Sequence, residues 1–327
     1  MKRRDVMFAA TGGLAVASFA GMAAAKTARI GILSSSASSA RQTDGPYAVF
    51  LETLAKAGWI EGRNLVIDWR YADGDLARHV PLAAELAAMK PDLILASTQP
   101  SALATMSVTK TIPIVFMLVH EPVSAGLADS LARPGRNATG LTSMNVEILS
   151  KRLELLLEVV PSARRLALLH HPDFDLNLRQ VVLAEPVLQP RGVKALRVAI
   201  GHPDTFDTAF DVLARELPDA VLVIENPSVF GHRAEIARRM AAIRLPAMYG
   251  FQPFTLDGGL MSYSIDFADQ FRRAAVYVDR ILRGAKPGEL PIEPPLRLEL
   301  TVNLKAAKAL GIAIPHSVIL RADRLIE

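Results

Sequence analysis

Residues 92–122, DLILASTQPSALATMSVTKTIPIVFMLVHEP, predict a strand, a helix and a second strand, with a polar loop after each strand. Residues 92–96 and 114–119 are short apolar runs, which is typical of strands buried on both faces of a parallel sheet. In an open α/β sheet, ligands bind beyond the carboxyl ends of the strands. The loops Ser97-Thr98-Gln99 and His120-Glu121 are therefore predicted to line any site that this chain has.

The residues before and after this stretch extend the same alternation of strands and helices. Residues 28–33 and 65–69 predict two earlier strands, with helices at 47–56 and 80–89. Four strands that alternate with helices are typical of a doubly wound parallel sheet. A short helix is predicted to end at residues 129–131, after the fourth strand.

A second run of strands and helices then begins. Its predicted strands lie at residues 165–169, 193–200, 220–224 and 247–249, and predicted helices stand between them. The helix predicted over residues 176–188 is expected to be disturbed at Pro186, because proline cannot supply an interior helix hydrogen bond. The fold class predicted is α/β, with two similar doubly wound parallel-sheet lobes.

The residues after 260 do not fit into a completed second lobe. We expect the chain to cross between the lobes three times, near Thr142, Ser264 and Pro294, which makes a multi-strand hinge. A cleft between two lobes is a favoured place for a small ligand, and hinge closure is a known response to one. The lobes are predicted as residues 26–142 plus 265–294 for lobe 1 and residues 143–264 plus 295–327 for lobe 2.

The N-terminal residues have the organisation of a signal peptide. Lys2-Arg3-Arg4 is basic, residues 6–25 are apolar and rich in small residues, and Ala23-Ala24-Ala25 fits an A-x-A cleavage site. We predict residues 1–25 to be the signal peptide, cleaved after Ala25, and the mature protein to be exported, into the periplasm if the cell has two membranes. A transmembrane anchor is disfavoured by the glycines and the few large residues in this run, and the Sec and twin-arginine routes both stay open.

The composition excludes several kinds of site. The chain has no cysteine, so disulfides, thiolate metal sites and a cysteine nucleophile are ruled out. The net charge is +4, but no basic run is interleaved with aromatic residues, so we expect no nucleic-acid partner. The sequence has no G-x-G-x-x-G turn, P-loop, G-x-S-x-G elbow or H-E-x-x-H motif, and we predict no metal, no cofactor and no catalytic residue.

Six motifs occur in order along the chain. They are KAGWIEGRNLVIDWRYADGD at 56–75, TIPIVFMLVHEPVSAGLADSLARPGRNATGLT at 111–142, KRLELLLEVVPSARRLALL at 151–169, GGLMSYS at 258–264, ILRGAKPGELPIEPP at 281–295 and LRLELTVNLKAAKALGIAIPHSVILRADRLIE at 296–327. With them the chain resembles the substrate-binding components of ABC transporters, of the type I periplasmic-binding-protein fold, and within these the branch that includes tryptophan-binding proteins. The resemblance covers essentially the whole mature chain.

This resemblance implies capture of a small molecule and its delivery to a membrane permease, with no chemistry on the ligand. The expected protein is a monomeric periplasmic solute-binding protein, not an enzyme, whose ligand is an amino acid or a related small organic molecule. A sensor that signals to a membrane protein would use the same closure and remains an alternative. A further alternative is an exported α/β hydrolase or transferase, which would be supported if the protein turned over a bound ligand.

The chain also departs from its relatives near the expected cleft. Residues 170–174 replace a loop that is often rich in asparagine. Glu121 and Glu225 stand where relatives often carry aspartate. The ligand therefore need not be one known from relatives.

The predicted ligand contacts of lobe 1 all follow strand ends. Ser97-Thr98-Gln99 would offer free main-chain N–H groups at a helix start, which suit a carboxylate or another anion, although N-capping by Ser or Thr explains the same residues. Ser35 and Ser36 follow the first strand in the same layer, where a simple polar turn is the alternative. His120 and Glu121 without a third ligand make a weak metal signal. Glu121 is instead expected to accept from a ligand ammonium or amide group, or to cap the next segment.

The predicted ligand contacts of lobe 2 are Asn145, His171, Glu225, Asn226 and Phe251. Glu225 and Asn226 end a strand and would face the first-lobe loops across the cleft. A buried carboxylate without a partner is costly. Two carboxylates near one site therefore suggest a cationic or hydrogen-bonding group on the ligand.

Two other features of lobe 2 have competing explanations. His170 and His171 suggest zinc, but adjacent residues at a strand end point opposite ways, so a shared ion is disfavoured. Phe251, with Tyr249 and Tyr47, could form an aromatic wall for a flat ligand. Aromatic residues at strand ends more often belong to the core.

Overall fold

The structure is a computed structural model that describes residues 27–36, 45–201 and 203–327. The predicted signal peptide and its cleavage point after Ala25 lie outside these residues. Within the described ranges, no helix combines the length and the apolar character needed to cross a membrane.

The first sheet has five parallel strands in the order β2-β1-β3-β4-β5. The strands are β1 (Ala28–Ser34), β2 (Leu65–Tyr71), β3 (Leu93–Ala96), β4 (Ile114–Val119) and β5 (Ala138–Thr142). The helices that connect the first four strands are α1 (Pro46–Lys56), α2 (His79–Ala88) and α3 (Gln99–Val108). All four residues of β3 are buried, as expected for a central strand covered on both faces.

The second sheet has seven strands in the order β12-β11-β10-β9-β8-β6-β7, parallel except for the β10–β11 pair. The strands are β6 (Arg165–His170), β7 (Lys194–Ala199), β8 (Ala220–Val223), β9 (Ala247–Tyr249), β10 (Met261–Ile265), β11 (Leu298–Asn303) and β12 (Arg324–Ile326). The helices of this part are α4 (Leu149–Val159), α5 (Asp175–Leu188), α6 (Phe206–Glu216), α7 (Pro227–Gly231), α8 (Arg233–Ala242), α9 (Gln252–Leu256), α11 (Leu304–Leu310) and α12 (His316–Arg321). Two parallel-sheet lobes of an α/β protein were predicted, and this fold class is confirmed.

One helix follows a strand of the second sheet but packs on the first lobe. This helix, α10 (Phe267–Leu282), comes directly after β10. The indole Nε1 of Trp59 donates to Asp279 at 2.8 Å, and the ring of Phe271 lies 4.7 Å from that of Tyr47. The chain then passes along β5, where the N–H of Thr142 donates to the carbonyl of residue 293, before β11 returns to the second sheet. The chain thus runs between the sheets several times, while the residue bounds of the lobes stay a prediction.

One local prediction differs from the structure. The short helix ending at residues 129–131 is wrong, because residues 121–137 form turns and bends in which Gly126 and Gly135 have positive φ and Pro134 interrupts any helix. The helix predicted over residues 176–188 is present as α5, which ends at Leu188 and contains Pro186 in its last turn. The bond that Pro186 cannot make is the one to the carbonyl of Val182, four residues earlier.

Candidate ligand-binding site

A cavity lies between the two lobes, beyond the carboxyl ends of strands from both sheets. It encloses about 990 Å³, including its open mouth. Ten of the twelve predicted contact residues line it: Ser35, Ser36, Ser97, Thr98, Gln99 and His120 from the first lobe, and Asn145, Glu225, Asn226 and Phe251 from the rest of the chain.

The loops after β1 and β3 bond to each other through hydroxyl groups. The Ser35 hydroxyl oxygen lies 2.5 Å from the Thr98 hydroxyl oxygen and 2.8 Å from Nε2 of His79. His79 opens α2 and is buried, and no sequence pattern singles it out. Its ring holds the Ser35 hydroxyl, and the contact between Ser35 and Thr98 joins the two loops into one polar wall of the cavity.

The main-chain donors of these loops differ from the prediction of free N–H groups. The N–H of Ser97 donates to the Leu33 carbonyl at 3.1 Å, and that of Thr98 donates to the Ser101 hydroxyl at 2.9 Å. Thr98 and Ser101 form the capping box of α3, whose first turn also contains Pro100, a residue without an N–H. The capping explanation is therefore the one that the geometry favours.

His120 lies in the cavity wall as a neutral ring. It is buried, its main-chain N–H donates to Oε1 of Gln99 at 3.2 Å, and its ring packs at a steep angle against that of Phe174, with the ring centroids 6.3 Å apart. Burial lowers the pKa of His120 to about 4. Within the described ranges, Nδ1 of this ring has no hydrogen-bond partner in the protein.

Glu225 lines the cavity but does not carry an unpaired charge. Nη1 of Arg152 lies 2.9 and 2.8 Å from its two carboxylate oxygens, and both side chains are almost fully buried, at 1% and 3% exposed. Nε2 of Gln180 adds a donor at 3.3 Å. The expectation that Glu225 requires a cationic ligand group is therefore not supported, because the protein supplies the cation itself.

Arg152 was missed by the sequence reasoning. Arg152 lies on α4 next to the apolar stripe of that helix, and its spacing along the sequence does not predict that it is buried. Its Nε donates to the Tyr263 carbonyl at 2.8 Å, and its Nη2 donates to the Gly250 carbonyl at 2.8 Å and reaches Oδ1 of Asn145 at 3.3 Å. One guanidinium thus joins β10, the end of β9 and the segment after β5 to the cavity wall.

Glu121, which was predicted as a ligand contact, is not among the residues that line the cavity. Its backbone has a φ of 52°, and its side chain is about half exposed. The two carboxylate oxygens accept from the guanidinium of Arg179, on α5, at 2.7 and 2.9 Å. These hydrogen bonds lower the pKa of Glu121. The pair bridges the loop after β4 and the second lobe beside the cavity.

His171 is also placed outside the cavity lining. The ring is buried, its Nδ1 accepts from the N–H of Asp173 at 3.1 Å, and its own N–H donates to Oδ1 of Asn177 at 2.9 Å. Burial lowers the pKa of His171. The residue organises its own loop, which explains why a strand-end position does not bring it to the cleft.

Aromatic rings form much of the remaining wall. The rings lining the cavity are those of Tyr47, Phe174, Phe230, Phe251, Phe267 and Phe271. Tyr249, in contrast, is buried in the core and stacks on Phe254 at 4.9 Å. Phe267 and Phe271 stand one helical turn apart on α10, a spacing that could have indicated a shared face.

The two sheets, the crossing segments and the cavity between the lobes define a type I periplasmic binding protein, a class that closes around small molecules. Residues 31–326 match the sequence profile of the family described as "ABC transporter substrate binding protein". The chain belongs to this family of transporter substrate-binding proteins. Proteins of this family act outside the cytoplasm, and they bind solutes for membrane transport.

Several relatives are similar over most of the chain. A tyrosine-binding protein of Clostridioides difficile strain R20291 is 26% identical over 264 residues, which cover 80% of this chain and 75% of that protein. The structure of a conserved domain protein from Vibrio cholerae is 27% identical, with a TM-score of 0.82, and covers 92% of this chain and all of that one.

Two further similar structures differ in whether a ligand is bound. An ABC domain from Streptococcus pneumonia in complex with L-Trp has 24% identity and a TM-score of 0.81, over 92% of this chain and 100% of that one. The ligand-free, open structure of a substrate binding protein with adhesive properties from Clostridium difficile has 25% identity and a TM-score of 0.62, over 91% and 99%.

Proposed function

We propose that this chain is the periplasmic solute-binding component of an ABC importer and that its ligand is an amino acid with an aromatic side chain, or a related small organic molecule. The observation that carries this proposal is the cavity, in which the polar loops after β1 and β3 stand beside six aromatic rings. Aromatic rings attract flat apolar groups. The polar loops then meet the ligand's charged or hydrogen-bonding end.

The electrostatics of the wall support a ligand without net charge. Glu225 is paired with Arg152, and Arg233, which also lines the cavity, lies 2.9 Å from the Asp257 carboxylate. His120 is neutral near pH 7. A zwitterion suits a wall whose charges cancel, because neither of its ends must neutralise an unpaired buried charge.

The tyrosine-binding relative supports an amino acid as the ligand class, since it is similar over 80% of this chain. The ten predicted residues that line the cavity are the proposed ligand contacts. We further propose cleavage after Ala25, a monomer in solution, delivery to a permease rather than to a sensor, and no turnover of the ligand. The lobe bounds predicted from the sequence are part of the same proposal.

A thermal-shift panel tests the ligand class. Residues 26–327 would be melted with the twenty amino acids, with small carboxylates, with nucleosides and with hexoses. A ligand that binds only the folded state raises the melting temperature with concentration, so at least one aromatic amino acid should stabilise the protein and hexoses should not. A panel in which only sugars or nucleosides stabilise the protein would contradict the proposed class.

A further inference from the structure

Hydrogen bonds behind the loop after β1 determine the tautomer of His79. Its Nδ1 lies 3.2 Å from the Leu76 carbonyl oxygen, and its Nε2 lies 2.8 Å from the Ser35 hydroxyl oxygen. A carbonyl oxygen only accepts, so Nδ1 carries the hydrogen. His79 is 1% exposed, and burial lowers its pKa, so the ring is neutral near pH 7. In a neutral ring with a hydrogen on Nδ1, Nε2 is an acceptor.

The direction of the next two hydrogen bonds follows from this tautomer. Ser35 must donate its only hydroxyl hydrogen to Nε2 of His79. The Thr98 hydroxyl oxygen lies 2.5 Å from that of Ser35, a separation that requires a hydrogen between the two oxygens. Since the Ser35 hydrogen is already used, Thr98 donates to Ser35. Toward the cavity, both hydroxyl groups therefore present lone pairs and no hydrogen.

Four main-chain donors nearby, those of Ser35, Ser36, Ser97 and Thr98, are used as well. The N–H of Ser35 donates to the Ser97 hydroxyl at 3.1 Å, and the N–H of Ser36 donates to the Ser34 hydroxyl at 3.2 Å. The N–H groups of Ser97 and Thr98 are bonded within the protein, as described above. The positive end of the α3 dipole favours an anion, but the capping box and Pro100 satisfy or remove much of the N–H capacity through which it acts.

We infer that the Ser35–Thr98 end of the cavity binds the ammonium or another hydrogen-bond-donating group of the ligand, and not its carboxylate. This inference rests on the proposed function, because it takes the ligand to be an amino acid. The sequence analysis predicted a carboxylate or another anion at the loop after β3, and this inference places the ammonium there instead. The guanidinium of Arg233, which lines the cavity from the second lobe and is paired with Asp257, offers further N–H donors for the carboxylate.

Calorimetric titration of wild type and Ser35→Ala tests the polarity. The probes are L-tyrosine and L-tryptophan, tyramine and tryptamine, which lack the carboxylate, and the 3-arylpropionates, which lack the ammonium. Ser35→Ala should weaken the amino acids and the amines by about tenfold, as expected for one hydrogen bond to a charged group, and leave the arylpropionates unchanged. Ser107→Ala is the matched control, since its hydroxyl bonds to Ala104 on the same helix away from the cavity.

The opposite pattern would overturn the inference: weaker arylpropionates and unchanged amines would place the carboxylate at Ser35. The inference would also be overturned if Ser35→Ala bound each probe with the same affinity as the wild type. Ser35→Thr keeps a hydroxyl group and should retain wild-type selectivity, which separates a lost hydrogen bond from damage to folding. A wild type that binds no amino acid and no amine would instead refute the proposed function, and the ammonium site with it.

A second measurement needs no ligand. Nitrogen-15 NMR of the histidines, assigned with His79→Gln, reports which ring nitrogen of His79 carries the hydrogen. A protonated Nδ1 and a bare Nε2 are expected. A hydrogen on Nε2 would free the Ser35 hydroxyl to donate to a carboxylate and would overturn the inference even if amino acids bind.

Discussion

Two arginine–glutamate pairs near the cavity have similar geometry and opposite surroundings. The side chains of Arg152 and Glu225 are 1% and 3% exposed, whereas those of Arg179 and Glu121 are 53% and 47% exposed. Both glutamates were predicted from sequence to face the ligand. Burial, and not contact distance, decides what each pair contributes.

Breaking the buried pair should lower the stability of the protein strongly, because removing one partner leaves an unpaired charge in a place with little water. The exposed pair competes with water and salt at every moment, so its net contribution is small. The buried pair therefore shapes the cavity wall, and the exposed pair adds at most a weak contact across its mouth. The predictions that follow test this contrast.

The largest effect is expected for Arg152→Met. It leaves Glu225 buried without its cation and should lower the free energy of unfolding by about 3–5 kcal/mol, measured by urea denaturation at pH 7. The matched Arg179→Met should cost less than about 1 kcal/mol. Adding Glu225→Gln to Arg152→Met should recover part of the loss. Equal losses in the two single variants would refute the contrast.

Acid should destabilise the protein through His120 before it protonates the surface carboxylates. Its pKa falls from 6.5 to about 4 on folding, so between these pH values the unfolded chain binds a proton that the folded chain excludes. Stability is therefore full above pH 6.5 and declines toward pH 4, by at most about 3.5 kcal/mol at about 1.4 kcal/mol per pKa unit. His120→Asn should flatten the decline measured by urea denaturation at several pH values. An unchanged slope would show that His120 is not buried as a neutral ring.

Gly250→Ala tests how tightly the buried pair is enclosed. An added Cβ would lie 2.0 Å from Oε2 of Glu225, so the carboxylate or the strand end must move. We expect a loss of about 1–3 kcal/mol in unfolding free energy. Gly231→Ala is the control, because no atom lies within 4 Å of its added Cβ. An unchanged free energy of unfolding in Gly250→Ala would mean that Glu225 is free to turn away from Arg152.

The smallest effect is expected for Glu121→Gln. The depressed pKa of Glu121 means that its ion pair contributes above the unfolded pKa and that this contribution is lost as pH falls through the folded value. The variant should lose less than about 1 kcal/mol of stability, and less again in 0.5 M salt. Ligand affinity should change by less than about fivefold in titrations, because Glu121 lies outside the cavity lining. A salt-independent or larger loss would place Glu121 in the site after all.

The alternation of strands and helices and the position of most site loops could be predicted because they depend on local pattern. Apolar runs such as residues 114–119 mark buried strands, and the residues that follow them must lie at one edge of the sheet. Ser97 and His120 follow this logic and line the cavity. Glu121, one residue later, has a positive φ and is not among the lining residues.

Contacts between distant segments could not be predicted from local pattern. Arg152 meets Glu225 across 73 residues, and His79 meets Ser35 across 44. Neither pairing leaves a periodic signal, since each depends on how helices pack on the sheets. The charge of the cavity wall and the direction of its hydrogen bonds follow from these pairings. Which end of the ligand meets which part of the wall could therefore not be predicted from the sequence.

The central claim is that the cavity between the lobes binds one aromatic amino acid. Titration calorimetry of residues 26–327 with L-tyrosine, L-tryptophan and L-phenylalanine at several temperatures tests it most directly. The account predicts binding of at least one of them with a stoichiometry of one and a negative heat-capacity change, because the aromatic wall removes apolar surface from water. Absence of binding for all three, or unchanged binding in a Phe230→Ser variant, would contradict the account.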